Sequence, residues 1–132
     1  MNFRIVAAKE QVYKEIKNKF NATYVNFYAF AEKLSKEAYA KKQGNVDKYN
    51  VISKSGKAGS YARYLIKLIV IYQESTYEII EKLDSFETLT KLETLRNHPH
   101  FAKYNENEGG FPNAALNCFK SFLTKLETET NK

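Results

Sequence analysis

The residues best suited to chemistry in this chain form one run, Lys54-Ser55-Gly56-Lys57-Ala58-Gly59-Ser60, placed directly ahead of a helical pattern that starts at Tyr61. Small residues let backbone N–H groups approach an oxyanion. A helix N-terminus adds unpaired donors and a partial positive charge, and the two lysines add full charges. That combination suits phosphate. Arg63 and Lys67, four residues apart and off the main apolar stripe, extend the same surface along the next turns. Contacts of this kind orient a nucleic acid without reading its bases. The same run equally fits a polar loop that ends in an ordinary serine cap.

Other reactive residue types lack the spacing that chemistry needs. The glycine run is not a nucleotide-binding P-loop, and neither HExxH nor GxSxG occurs. His98 and His100 flank Pro99 and supply at most half a metal site, because the chain has only two histidines. Arg96 and His100 are separated by three residues, fewer than in the Arg/His pairs of HEPN ribonucleases, so that resemblance fails where the chemistry would lie. Cys118, the single cysteine, falls between Leu116 and Phe119 in helical phase, which makes it a packed thiol. Glu74, Glu78, Glu81 and Asp84, and Glu106 with Glu108, read as solvated acidic faces. No catalytic residue, metal site or cofactor is expected.

Charge is distributed unevenly. Residues 1–73 carry 14 Lys and Arg against 5 Asp and Glu, a net +9, whereas residues 74–132 carry 7 against 10, a net −3. A helical domain needs no such asymmetry to fold, so the basic half points to a polyanionic partner, while lysine-rich composition alone is the plain alternative. One cysteine excludes an intramolecular disulfide and fits a reducing cytoplasm. No apolar run approaches the roughly 20 residues that span a bilayer, and the apolar cluster of residues 1–8 is too short for a signal segment. Membrane association is not expected.

These residues must be positioned by helices. With 132 residues, 43% hydrophobic, and only 5 Gly and 2 Pro, the chain suits one domain built of long helices. Val12, Ile16 and Phe20, with Tyr13, predict a first helix from about Ala8 to Phe20. A second, capped by Asn21 or Thr23, runs to about Lys42 with Tyr24, Phe27, Tyr28, Ala31, Leu34 and Ala38 on one stripe, and Lys41 and Lys42 crowd its end. Residues 44–59 read as a polar loop that carries Lys48, Lys54 and Lys57.

Tyr61, Tyr64, Leu65, Leu68, Ile69 and Tyr72 repeat with helical period, and Ile66, Val70 and Ile71 lie off that stripe, which predicts a central helix covered on most sides. Ser75 or Thr76 could cap a short helix bearing Tyr77, Ile80 and Leu83. Ser85 could open another bearing Leu89, Leu92 and Leu95. Residues 100–112 read as an exposed loop. The last helix, from Pro112 or Asn113, places Ala115, Phe119, Phe122 and Leu126 inward, with Leu116 and Leu123 beside them.

Two stretches carry a family resemblance. Gly59-Ser60-Tyr61-Ala62-Arg63-Tyr64-Leu65, followed later by Asn113-Ala114-Ala115-Leu116-Asn117-Cys118-Phe119-Lys120-Ser121-Phe122-Leu123, resembles the helical modules at the N-termini of some restriction endonucleases. More loosely, it is similar to the core-binding domains of tyrosine recombinases. The resemblance implies a DNA-contacting accessory domain whose nuclease or recombinase centre lies elsewhere. Cys118 and the acidic Glu106 and Glu108 depart from what DNA contact by the C-terminal half would need.

The combined expectation is an all-α single domain, 1–132, a bundle of five or six helices around the helix at Tyr61–Tyr72. It would bind double-stranded DNA without catalysis through Lys41, Lys42, Lys48, Lys54, Lys57, Ser60, Arg63 and Lys67. The alternative is a protein-binding adaptor or inhibitor of a defence protein, anchored by exposed Tyr39, Tyr49 and Tyr104.

Overall fold

The computed structural model describes residues 2–43 and 57–130, apart from the side chains at 35, 38–43 and 130. Six helices account for most of the described residues: α1 (Gln11–Lys19), α2 (Asn21–Gln43), α3 (Lys57–Thr76), α4 (Phe86–Arg96), α5 (Phe101–Asn107) and α6 (Phe111–Thr130). No strand occurs among the described residues, and none of these helices is long and apolar enough to cross a membrane.

The heart of the bundle is α3. Leu65, Ile66, Leu68, Ile69, Val70 and Ile71 are all fully buried, because α1, α2, α4 and α6 pack around this one helix. Covering so much of the circumference requires apolar residues off the main stripe, and Ile66, Val70 and Ile71 supply them. Each fully buried aliphatic side chain contributes roughly 1.5–3 kcal/mol of transfer free energy, which makes α3 the main source of cohesion. Phe27 of α2 meets Phe119 and Phe122 of α6 edge-on, with ring centroids 6.1 and 5.5 Å apart.

Helix α1 buries Tyr13 and Ile16 and ends at Phe20, the one non-helical residue before α2. Neither Asn21 nor Thr23 is therefore a cap. Phe20 occupies that position, and its carbonyl accepts from Tyr24 N–H at 2.8 Å. The inward stripe of α2 is narrower than the sequence suggests: Phe27 and Ala31 are buried, whereas Tyr28 and Leu34 are exposed.

Three local expectations are corrected. Lys57, Ala58 and Gly59 are helical, and Ala58 and Gly59 are buried, so α3 starts earlier than a cap at Ser60 would allow. Burial of these small residues against α2 is the tertiary gain that favours helix there. The stretch around Ile80 is not a helix. Thr76 Oγ1 bonds back to the Tyr72 carbonyl and accepts from Glu78 N–H, and Gln73 Oε1 accepts from Ile80 N–H, so side chains take the bonds that a new helical turn would use. Ile80 and Leu83 are nevertheless buried as anchors of this extended segment.

The third correction concerns residues 100–112. They contain α5, which buries Phe101 and Tyr104, and then Gly109 and Gly110 turn the chain at φ values of +69° and +79° that only glycine adopts easily. Asn105 closes the turn, since its Oδ1 accepts from Asn113 N–H at 2.8 Å and its carbonyl from Gly110 N–H at 2.8 Å. Ser85 does cap α4, accepting from Glu87 N–H at 3.1 Å.

Candidate functional site

Ser60, Arg63 and Lys67 recur at intervals of three and four residues, which at about 100° per residue places them within one narrow stripe of α3. Lys57 stands one turn before Ser60, at the edge of that stripe, and is exposed. The structure thus brings these four expected residues to one side of one helix. Lys41 and Lys42 lie in the last turn of α2, but their side chains are outside the described residues, as are Lys48 and Lys54 entirely.

Arg63 folds back along the helix toward its start. One of its Nη atoms donates to Ser60 Oγ at 3.0 Å. Gly59 makes room for this, because a Cβ at that position would stand 3.1 Å from the guanidinium and 3.4 Å from the Tyr28 ring of α2. Ser60 Oγ therefore helps to orient a cation, and the fully helical run Lys57–Ser60 no longer forms an open phosphate-cradling loop.

Cations and tyrosines alternate on this side of the molecule. Lys67 Nζ lies 4.4 Å from the centroid of the Tyr64 ring, and Lys17 Nζ of α1 lies 4.8 Å from that of Tyr24. The phenol of Tyr13 is buried beside Tyr24 and Arg63, and burial pushes its pKa up while Arg63 opposes the shift. Neither Arg63 nor Lys67 has a carboxylate partner among the described residues, whereas Arg4, Lys19, Lys36, Lys91, Arg96 and Lys125 are ion-paired.

The far side of Tyr64 leads to a different set of groups. Its hydroxyl donates to Glu108 Oε1 at 3.3 Å, and its ring stacks on Phe111 with a 12° interplanar angle. Glu108 and Tyr104 line an open cleft of about 670 Å³ together with Phe3, Arg4, His100 and Lys103. Sequence reading did not find this cleft, because Phe3 and Tyr104 are some 100 positions apart and no local pattern joins them.

The remaining chemical candidates are structural. His98 lies under Phe3, with centroids 5.4 Å apart, and its Nδ1 accepts from His100 N–H at 3.2 Å. Among the described residues no group of three or more His, Cys, Asp or Glu could hold a metal ion. Cys118 is buried, and burial pushes its thiol up to about 11. Arg96 is held by Asn117 Oδ1 at 2.8 Å and Asn113 Oδ1 at 3.1 Å, joining α4 to α6. Tyr104, expected as an exposed anchor, is buried at 6% exposure, and Tyr39 and Tyr49 lie outside the residues whose side chains are described.

Compared with known proteins, the chain matches no family model, no curated protein and no solved structure.

Proposed function

We propose that this chain is a non-catalytic module that binds double-stranded DNA through its phosphates, using the α3 stripe of Lys57, Ser60, Arg63 and Lys67 together with Lys41, Lys42, Lys48 and Lys54. The observation that carries this reading is that Arg63 and Lys67 share one stripe of α3 and lack carboxylate partners among the described residues. Leaving two cations uncompensated on the most heavily packed helix gives them a fixed spacing, which suits a rigid polyanion. The net +9 of residues 1–73 extends the field. A reducing cytoplasm suits the lone cysteine. The resemblance of residues 59–65 and 113–123 to modules of restriction endonucleases supports an accessory role beside a separate catalytic centre.

Affinity in this reading is mostly electrostatic. About six phosphate contacts give log K against log salt a slope of about −5. A mobility-shift series with random duplex, single-stranded DNA and RNA at rising salt measures it directly, and the double charge reversal Arg63→Glu with Lys67→Glu is expected to abolish the duplex shift. A salt-insensitive complex, or one that the reversal leaves intact, would sink the reading.

A second reading, a protein-binding adaptor, is favoured by one observation on the opposite, acidic half. Tyr77 is 90% exposed and Ile79 is 53% exposed, two positions apart in the extended segment after α3. Large apolar groups held in solvent are typical anchors for a partner. Truncation of both to alanine would weaken a protein complex and leave a DNA shift unchanged.

A further inference from the structure

A groove between α2 and α6 is walled by the same short pattern on both sides. Lys33-Leu34-Ser35-Lys36-Glu37 on α2 and Lys125-Leu126-Glu127-Thr128-Glu129 on α6 both read Lys-Leu-x-x-Glu. The two helices run in the same direction: Phe27 meets Phe119 and Phe122, Phe30 meets Phe122, and Lys33 lines the groove together with Leu126 and Glu129. Both walls therefore place lysine before glutamate. The groove has a basic level, set by Lys33 and Lys125, and one turn further an acidic level, set by Glu37 and Glu129.

Its floor is apolar. The rings of Phe30 and Phe122 lie 5.6 Å apart between the walls, and two hollows of about 340 and 230 Å³ share Phe30, Lys33 and Lys125. Leu34 lines the second hollow at 38% exposure and stands outside the core that Phe27 and Ala31 join from the same helix. Inside one copy the charges are only loosely engaged. Lys125 Nζ is 3.9 Å from Glu129 with both side chains about half exposed, a pair weak enough to exchange for a partner across an interface.

A groove with this polarity is complementary to itself in one orientation. A twofold axis lying across the helices turns a second copy end for end and lays α2 on α2 and α6 on α6, antiparallel. Lys33 then meets the second copy's Glu37, and Lys125 meets its Glu129. Leu34 and Leu126, which stand between lysine and glutamate in each wall, meet their own counterparts near the axis. An axis lying along the helices would instead set lysine against lysine.

We propose that the α2–α6 groove is the interface of a symmetric homodimer, formed by antiparallel packing of the two Lys-Leu-x-x-Glu walls on those of a second copy. The groove shares no residue with the α3 stripe, so self-association and duplex binding are separate properties.

Sedimentation equilibrium of the full chain from about 1 µM to about 500 µM tests the interface. The mass is expected to rise from 15.3 kDa toward twice that value. Leu34→Glu, at an exposed position, should weaken association at least about tenfold and leave the far-UV circular dichroism unchanged. Glu37→Lys sets like charges opposite each other on both sides of the axis and should also weaken it about tenfold. Adding Lys33→Glu to Glu37→Lys should restore most of that loss, because the wall is then inverted in both copies alike. A mass of 15.3 kDa through the whole range overturns the proposal and leaves the groove to a helix of another sequence. A dimer indifferent to Leu34→Glu or to Glu37→Lys overturns it by placing the interface elsewhere. A Glu37→Lys loss that Lys33→Glu fails to rescue overturns the antiparallel arrangement.

Discussion

Arg4 grips Glu74 with two parallel hydrogen bonds, Nε to one carboxylate oxygen at 2.8 Å and an Nη to the other at 3.1 Å, across 70 positions of sequence. The same guanidinium holds Glu10 at 2.7 and 3.0 Å, while Glu10 also accepts from Ala7 N–H at 2.7 Å. One planar fork thus ties the N-terminal segment to the start of α1 and the end of α3. The consequence is a Phe3 ring seated against α5, which builds one side of the cleft.

This clamp makes the protein acid-sensitive in a defined window. Arg4, together with the Ala7 backbone, lowers the Glu10 carboxyl from 4.5 to about 2. A carboxylate with a depressed native pKa adds stability that is complete above its ordinary pKa and disappears as pH falls through the native value. Stability should therefore drop between pH 4.5 and about 2, and Glu10→Gln should flatten that limb in urea melts followed by circular dichroism. An unchanged acid limb would show that the clamp does not couple to folding.

Replacing the arginine tests the clamp at neutral pH. Both carboxylates are partly solvated, so Arg4→Met is expected to cost only about 1 kcal/mol, a fall in Tm of a few degrees. Amide hydrogen exchange should rise first in residues 2–7. Uniform acceleration across α3 would instead mean that the segment is part of the core's cooperative unit.

Tyr77 sits at φ +61°, in the left-handed region, immediately after α3. A side chain there costs about 1–2 kcal/mol, and at 90% exposure it recovers nothing from burial. Tyr77→Gly should accordingly raise stability by up to about 1 kcal/mol after the greater freedom of glycine in the unfolded chain is subtracted. Denaturant melts decide the sign, and destabilisation would show that Tyr77 makes a contact worth more than its strain.

Cys118 offers a probe of the core. Its thiol, buried and held near 11, should resist alkylation at pH 8 in native protein and react at once in denaturant. Leu65→Ala, which removes a side chain at 0% exposure on α3, should cost about 3 kcal/mol and open that thiol to reagent. Rapid labelling of the native wild type would place Cys118 at a more open surface.

Periodicity was enough to locate the long elements. The 3.6-residue repeat through Tyr61–Tyr72, and the off-stripe Ile66, Val70 and Ile71, announced a helix covered on most sides, since apolar residues over most of a helix's circumference need partners on most sides. Arg63 and Lys67 were likewise legible as an off-stripe pair. What local reading mistook was any segment whose state depends on distant partners. Residues 100–112 look like a loop by their Asn and Gly content, yet Phe101 and Tyr104 find Phe3 and turn seven of them into helix. Ile80 and Leu83 have helical spacing, yet Gln73 and Thr76 capture the backbone groups that a helix would need.

The amino-acid order by itself determined the helical class, the identity of the central helix and the concentration of positive charge in the first half, because these depend on period and composition within a few turns. Tertiary packing alone paired Arg4 with Glu74 and Lys91 with Glu78, and it alone made the cleft. Phe3, Tyr64 and the Tyr104–Glu108 pair come from three separate parts of the chain, and only the burial of α3 and the grip of Arg4 on Glu10 and Glu74 bring their ring faces and oxygens to one place.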